Sequence, residues 1–181
     1  MPSSPFQPTV LWLTGYSGAG KTTIAARLKL MLEDANCAVV VLDGDEIRRG
    51  LCSDLGFSER DRAENVRRVA EVARFMVSAG MVVIVALISP LRKDRETARA
   101  KFAVGEFVEI FVDTPLAVAE ARDVKGLYRR ARAGQLPQFT GIDAAYEAPS
   151  APEIHIPTLE HVAADAAAKI IGYLRNNRHA V

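Results

Sequence analysis

The stretch V-L-W-L-T-G-Y-S-G-A-G-K-T-T, residues 10–23, decides the fold. Its apolar beginning predicts a strand over 10–13, which runs into a glycine-rich turn and then into a helix from Lys21. Residues 15–22 match G-x-x-x-x-G-K-[ST] in the strand–loop–helix context that makes this motif informative. Glycines permit a tight turn whose backbone N–H groups face an anion, and the helix start adds its positive dipole. The stretch therefore predicts a nucleotide-phosphate site.

Two side chains of this motif have chemistry of their own. Lys21 is expected to reach the terminal phosphates as a cation, and the Thr22 hydroxyl is expected to ligate Mg²⁺. The competing interpretation is a glycine turn followed by a helix with an exposed lysine. We disfavour it, because the motif and its context agree.

Composition sets limits on the rest of the chain. Its 181 residues are 49% hydrophobic and 25% charged, which is typical of a single globular domain over 1–181. A net charge of +1 gives no overall field, so we expect neither nucleic acid nor a membrane as partner. Cys37 and Cys52 lack metal-ligand spacing, which predicts free thiols in a reducing cytoplasm. No signal peptide is recognisable, and the longest apolar run, 81–88, is too short to span a bilayer.

Strand and helix patterns alternate along the chain. Further strands are predicted at 38–42, 81–88, 107–112 and 153–156, and helices at 21–35, 58–79, 91–102 and 159–176. The short apolar runs are typical of strands buried on both faces of a parallel sheet. Ser58 with Asp61 predicts a capping box, and Ser89-Pro90 and Thr114-Pro115 predict a cap followed by a helix start. This alternation predicts an α/β fold, a doubly wound parallel sheet of about five strands with helices on both faces and ligands at the strands' carboxyl ends.

Two aspartates follow the second predicted strand, in V-V-V-L-D-G-D. Phosphoryl transfer needs a carboxylate near Mg²⁺ and a group that orients the nucleophile, and Asp43 and Asp45 suit both tasks. Phosphate-loop enzymes commonly hold Mg²⁺ with a Walker-B aspartate as well. No acid of this kind follows the strand over 81–88, so Asp43 and Asp45 are predicted to replace it. The competing interpretation is a solvated Asp-Gly turn. The presence of a phosphate loop in the same chain makes this interpretation less favourable.

Arginines follow these acids. On a helix that begins near Ser58, Arg62 and Asn65 share one face, so both can point at one ligand. Planar guanidinium groups such as those of Arg48 and Arg62 bind phosphate or sulfate oxygens through paired hydrogen bonds. Phe57 stands just before the cap, where a hydrophobic staple is the default and stacking on a base is the alternative.

The other arginines of this helix are expected to form a solvated face of ion pairs. They are Arg60, Arg67 and Arg68, with Glu59, Asp61 and Glu64 as acidic partners.

A basic segment, R-D-V-K-G-L-Y-R-R-A-R-A-G, occupies residues 122–134. It predicts a lid, over about 122–148, that closes over the transferring phosphates and excludes water. A surface helix that happens to be basic is the competing interpretation. The turn-rich stretch after it carries Phe139, which is available to stack. The histidines His155, His161 and His179 form no partner pattern and are interpreted as structural or solvent-exposed.

The chain resembles the adenylyl-sulfate kinase family. The motifs are G-Y-S-G-A-G-K-T-T, L-D-G-D-E-I-R, L-G-F-S-E-R-D-R-x-E-N-V-R-R, I-S-P-L-R-x-D-R, K-G-L-Y-R-R-A-R-A-G and F-T-G-I-D-x-x-Y-E-x-P, within about 10–156. The last two are far more specific than the phosphate loop. The resemblance implies a nucleotide-kinase-like P-loop fold that transfers the γ-phosphate of ATP, with Mg²⁺, to the 3′-hydroxyl of adenylyl sulfate in sulfate assimilation. It also implies a homodimer and functional coupling to an ATP sulfurylase.

The resemblance also implies residue roles. Asp45 would orient or deprotonate the attacking hydroxyl, Lys21 would act with it in catalysis, and Thr22 and Asp45 would hold the metal. Phe57 and Phe139 would sandwich the acceptor adenine. The implied ATP contacts are Gly15, Tyr16, Ser17, Gly18, Ala19, Gly20, Lys21, Thr22, Thr23 and Arg122. The implied acceptor contacts are Asp43, Asp45, Arg48, Phe57, Arg62, Asn65, Ile88, Ser89, Lys125 and Phe139.

Three positions need separate comment. Ser89 stands where the family is described as carrying a phosphoserine intermediate. We expect a helix cap instead, because this chemistry needs positioning and charge stabilisation rather than a covalent carrier. Tyr16 stands where leucine is usual and Leu87 where phenylalanine is usual, and neither change removes a polar group from the site.

Two other functions stay open from the sequence. A kinase of the same fold could act on a nucleoside, a nucleotide or a sugar acid, although the Phe57–Phe139 pair favours an acceptor that carries adenine. A regulatory module that binds ATP without transfer would be expected to lose the acid or the lid cations, and this chain keeps Asp45 and Lys125.

Overall fold

Five parallel strands form one sheet in the order β2-β3-β1-β4-β5. The structure is a computed structural model that describes residues 4–177, so the ends of the predicted 1–181 domain, and His179, lie outside the described residues. The strands are β1 (Thr9–Thr14), β2 (Val39–Asp43), β3 (Val82–Ala86), β4 (Phe107–Asp113) and β5 (Ile154–Pro157). The helices are α1 (Lys21–Asp34), α2 (Gly44–Arg49), α3 (Glu59–Ser78), α4 (Arg92–Arg99), α5 (Leu116–Arg122), α6 (Leu127–Arg132) and α7 (Ala163–Asn176).

Strand β1 lies at the centre of the sheet, and all six of its residues are buried. Its side chains alternate between two cores, as the period of a strand requires. Leu11 and Leu13 pack with α1 and α7 on one face, whereas Val10 and Trp12 pack with α3 on the other. The doubly wound α/β fold with helices on both faces is therefore confirmed, and it puts the carboxyl end of β1 in the middle of one edge.

Strand β2 differs from its prediction. The run V-V-V-L suggested burial on both faces, but β2 is an edge strand and only Leu42 in it is buried. Helix α2, directly after this strand, is absent from the predicted elements. The Asp43 carboxylate caps this helix by accepting a hydrogen bond from the Asp45 N–H at 2.9 Å. An N-cap aspartate followed by acids in the first turn is a helix-start signal, so the D-G-D-E stretch carried that information.

The predicted helix caps divide into one success and two errors. The Ser58 hydroxyl accepts from the Asp61 N–H at 3.1 Å, which confirms Ser58 as the cap, whereas the Asp61 carboxylate accepts from the Gly56 N–H rather than completing the predicted capping box. Helices α4 and α5 begin at Arg92 and Leu116 without a side-chain cap, so the predictions for Ser89 and Thr114 were wrong. Both hydroxyls bind buried partners instead, because the packing of distant strands brings those partners closer than the helix ends.

Two expectations from composition can be checked. Cys37 and Cys52 are free and buried. Among residues 4–177, the structure contains no helix of the length and apolarity needed to cross a membrane.

Candidate active site

The phosphate loop, residues 15–20, connects β1 to α1. Gly15, Gly18 and Gly20 have φ angles of 149°, 74° and 105°, which side-chain-bearing residues rarely adopt. A Cβ atom on Gly15 would lie 2.5 Å from the Val112 carbonyl oxygen, so the loop passes too close to β4 for any side chain. This is the tight turn that the glycines predict.

Lys21 lies buried at the start of α1 and turns back on this loop. Its Nζ donates to the carbonyl oxygens of Gly15 at 2.8 Å and of Tyr16 at 2.7 Å. Burial, together with the nearby charge of Lys125, lowers the pKa of Lys21 to about 7, against a smaller opposing effect of Asp43 and Asp45. A phosphate in the loop would favour the charged lysine, because an anion stabilises a nearby cation.

Donors from the chain after β4 bind the loop carbonyls from outside. The Thr114 hydroxyl donates to the Ala19 carbonyl at 3.1 Å, and the Tyr128 hydroxyl to the Ser17 carbonyl at 2.9 Å. Arg122 makes a longer contact of 3.4 Å with the Gly18 carbonyl. Thr23 is exposed on α1. The loop is thus fixed by its neighbours as well as by its own turn.

The two aspartates after β2 have different partners. The Thr22 hydroxyl donates to Asp43 at 2.8 Å, so Asp43, rather than Asp45, lies against the predicted metal-binding hydroxyl. Asp45 is ion-paired with Lys125, which follows α5 and reaches across the site. The predicted lid segment therefore contacts the predicted catalytic carboxylate directly.

The remaining predicted acceptor residues form what we call the acceptor side: Arg48, Phe57, Arg62, Asn65, Ile88, Ser89 and Phe139. The Arg48 guanidinium lies 4.4 Å from the centre of the Phe57 ring and donates to the Gly56 carbonyl at 3.0 Å. Phe57 is 44% exposed and does not form the hydrophobic staple that its position suggested. The Arg62 guanidinium lies 5.5 Å from the same ring centre, so two cations approach this ring.

Arg62 is almost buried and holds two distant segments together. Its Nε donates to the Phe57 carbonyl at 2.9 Å and its Nη2 to the Gln138 carbonyl at 2.6 Å. It therefore fixes the backbone at Phe57 and just before Phe139. Neighbouring Asn65 is also buried, and its Nδ2 has no hydrogen-bond partner within the described residues.

Phe139 is buried, and its ring meets Tyr128 edge-on at 5.0 Å between centroids. The predicted sandwich would thus pair an exposed ring, Phe57, with one already packed on helix α6 of the predicted lid. The structure brings their backbones together through Arg62, and the sandwich itself stays a prediction.

Ser89 is buried and does not cap α4. Its hydroxyl accepts from the Trp12 indole N–H at 3.1 Å, and its carbonyl accepts from Arg95 at 2.7 Å. Arg95 is only 3% exposed and also donates to the Glu109 carboxylate at 2.6 Å. Arg95 was not predicted, because a single sequence does not distinguish a buried arginine from a surface one. The available signal was its place in the motif I-S-P-L-R-x-D-R.

The other charged predictions lie outside the site. Arg67 and Arg68 pair with Glu64, and Arg68 also with Asp54, which confirms the solvated ion-paired face for these two. Arg67 and Arg68 lower the pKa of Glu64 to about 2 through hydrogen bonds to its carboxylate. His155 stacks on Phe111 and contacts Asp113 at 2.8 Å.

Known proteins are similar to this chain in architecture and in sequence. A family model described as adenylylsulphate kinase matches residues 7–157. An adenylyl-sulfate kinase of Klebsiella pneumoniae is 58% identical over 147 residues, 81% of this chain and 73% of that protein. An adenylyl-sulfate kinase of Pseudomonas aeruginosa is 51% identical over 174 residues, 96% of this chain and 89% of that protein. The structure of the Mycobacterium tuberculosis APS kinase in complex with AMPPNP and APS matches with a TM-score of 0.89 at 42% identity, over 94% of this chain and 98% of that one.

More distant neighbours mark the limit of this likeness. A gluconokinase of Sinorhizobium meliloti, with a TM-score of 0.58 and 17% identity, shares the fold alone. The family model, by contrast, covers most of the chain, and the relatives exceed half identity over most of its length. The chain belongs to the adenylyl-sulfate kinase family.

Proposed function

We propose that this protein transfers the γ-phosphate of ATP to the 3′-hydroxyl of adenylyl sulfate and so forms 3′-phosphoadenylyl sulfate. The observation that carries the proposal is the position of Asp45. It follows β2, beside the Thr22–Asp43 pair of the phosphate loop, and is ion-paired with the lid residue Lys125. A carboxylate at this place can orient an acceptor hydroxyl next to bound phosphates, which is the main demand of phosphoryl transfer.

Each side of the site contributes a different part of catalysis. The phosphate loop offers backbone and the Lys21 cation to the ATP phosphates, and Lys125 offers a second cation once it leaves Asp45. Positive charge at this point stabilises the negative charge that spreads over the transferring group. On the acceptor side, Arg48 and Asn65 offer donors toward the sulfate and phosphate oxygens, and Phe57 offers a ring to the adenine.

The residues also fit Mg²⁺. The Thr22 hydroxyl and the Asp43 carboxylate lie in direct contact, with Asp45 close by in sequence, and hard oxygen donors are what Mg²⁺ prefers. Thr22 and Asp43 would hold the ion, and Asp45, the ligand that the resemblance implies, would have to leave Lys125 to join them. When bound, Mg²⁺ would neutralise charge on the ATP phosphates.

Assembly and location form a further part of the proposal. We propose a homodimer that works in the cytoplasm and is functionally coupled to an ATP sulfurylase. Assembly from several copies is supported by a relative, the hexameric APS kinase of Thiobacillus denitrificans, and a reducing compartment is supported by the two free thiols. Size-exclusion chromatography with light scattering measures the oligomeric state.

The proposed activity is tested by ADP release from Mg-ATP with adenylyl sulfate, AMP, adenosine or gluconate as acceptor. We expect turnover with adenylyl sulfate alone. Asp45→Asn should lower kcat by about a hundredfold or more, because it removes the carboxylate that orients the acceptor hydroxyl or accepts its proton. Asp34→Asn, at an exposed aspartate of α1, is the matched control and should match wild type.

The other outcomes separate the alternatives. Turnover with gluconate or adenosine in place of adenylyl sulfate would make the protein a kinase of another small hydroxyl compound. Nucleotide binding without transfer to any acceptor would favour a regulatory module.

A further inference from the structure

Tyr146 stands in the motif F-T-G-I-D-x-x-Y-E-x-P, in the irregular segment that follows Phe139, but the resemblance as stated above gives it no role. It is partly buried, and its ring packs against Tyr16 of the phosphate loop, with 4.8 Å between centroids. The same ring lies 6.1 Å from Phe111 of β4, and the Arg95 guanidinium lies 5.9 Å from its centre. One aromatic side chain thus contacts the phosphate loop, the central sheet and the buried arginine.

The hydroxyl of Tyr146 continues this connection. It lies 3.0 Å from the Thr14 hydroxyl, and Thr14 in turn donates to the Ile88 carbonyl at 2.7 Å. Because Thr14 spends its single proton on Ile88, Tyr146 is the donor to Thr14. Burial raises the pKa of Tyr146 to about 12, so this hydroxyl stays protonated near neutral pH. The relay joins the ends of β1 and β3, from which the phosphate loop and the Ile88–Ser89 turn begin.

The backbone directly after Tyr146 is fixed to the same elements. The Glu147 N–H donates to the Pro90 carbonyl at 2.9 Å, and the Glu147 carbonyl accepts from Arg95 at 2.7 Å. Earlier in the segment, a Cβ atom on Gly141 would lie 2.9 Å from the Tyr16 ring. Tyr16 therefore lies against the segment that follows Phe139 at two places, Gly141 and Tyr146.

We propose that Tyr146 is a positioning residue, which holds the phosphate loop in register with the Phe139 segment and the Ile88–Ser89 turn so that the two substrates meet in line. It needs no contact with either substrate, because it acts through Thr14, Tyr16 and the backbone. Small errors of alignment are costly in such a reaction, since a shift of about 1 Å lowers rates by about a hundredfold. The proposal rests on the proposed kinase activity.

The test compares Tyr146→Phe, which keeps the ring and loses the hydroxyl, with wild type. We expect kcat to fall by about tenfold, with the KM for ATP changed by about twofold or less. We also expect more ADP than phosphorylated acceptor, because a misaligned hydroxyl lets water compete for the phosphate. Tyr173→Phe, on α7, is the matched control and should keep wild-type kcat and a one-to-one ratio of products.

A second pair of variants approaches the same hydrogen bond from the other side. Thr14→Ser keeps the hydroxyl and should retain activity, whereas Thr14→Val should reproduce the excess of ADP over phosphorylated acceptor. Wild-type kcat and product ratio in Tyr146→Phe would overturn the proposal, and so would a loss of kcat that merely follows a loss of folded protein with the product ratio unchanged. Failure of the wild type to phosphorylate adenylyl sulfate would instead refute the proposed function.

Discussion

The phosphate loop and the acceptor side meet in one site but are constructed differently. The loop is a continuous run, residues 15–20, and its shape depends on three glycines with positive φ. The acceptor side is assembled from segments near residues 48, 57–65, 88–89 and 139, which side chains such as Arg62 and Arg95 hold together. A local turn tolerates few changes in its own residues, whereas an assembled surface depends on residues that never touch the ligand.

The largest expected effect concerns the loop backbone. Gly15→Ala places a Cβ 2.5 Å from the Val112 carbonyl oxygen, in a conformation that alanine avoids. We expect a loss of stability on the order of 3 kcal/mol and loss of ATP binding. Chemical denaturation and titration with AMPPNP measure the two effects.

The matched control is Gly172→Ala. This glycine lies in α7, and a Cβ there would meet no atom within 4 Å. The same substitution should raise stability by about 0.5–1 kcal/mol, because alanine is the better helix former. Equal effects at the two positions would show that the loop is not sterically special.

A second prediction concerns the protonation of Lys21, beside the phosphate loop. Burial lowers the pKa of Lys21 from 10.5 to about 7, so between these values the unfolded chain binds a proton that the folded chain does not. The stability of the nucleotide-free wild type should therefore rise with pH across this window, relative to Lys21→Met, by up to about 1.4 kcal/mol per pH unit. Denaturation curves over the window measure this difference.

Lys29→Met provides the comparison for this experiment, since Lys29 lies exposed on the same helix. Its stability difference from wild type should not show this slope. A stability difference between wild type and Lys21→Met that does not change with pH would mean that the lysine is charged in the empty loop. The phosphate loop would then differ less from the acceptor side.

The smallest expected effect concerns Ser89. Ser89→Ala removes the acceptor of the buried Trp12 N–H and should cost about 1–2 kcal/mol of stability. We expect kcat to fall by about tenfold or less, whereas loss of a covalent nucleophile costs on the order of a millionfold. Steady-state kinetics beside Ser53→Ala, an exposed serine, distinguish these outcomes. If a folded Ser89→Ala protein transferred no phosphate, the result would support Ser89 as a covalent phosphoserine intermediate.

Part of this site could be predicted from local sequence. The glycine turn, the strand–helix alternation and the Ser58 cap all depend on residues within a few positions of one another, so spacing alone carried the information. The D-G-D-E start of α2 was equally local, although the sequence analysis passed over it.

The remaining features depend on residues far apart in the chain. Thr22 pairs with Asp43 rather than Asp45, Lys125 reaches Asp45 across 80 positions, and Ser89 turns to Trp12 instead of capping a helix.

By itself, the sequence determined the sheet, the phosphate loop and the family, because apolar periodicity, glycine conformations and long motifs are properties of the chain order. Only the tertiary structure decided which side chain each polar group meets. A buried donor takes the acceptor that packing brings to it, and packing depends on strands that are neighbours in space rather than in sequence.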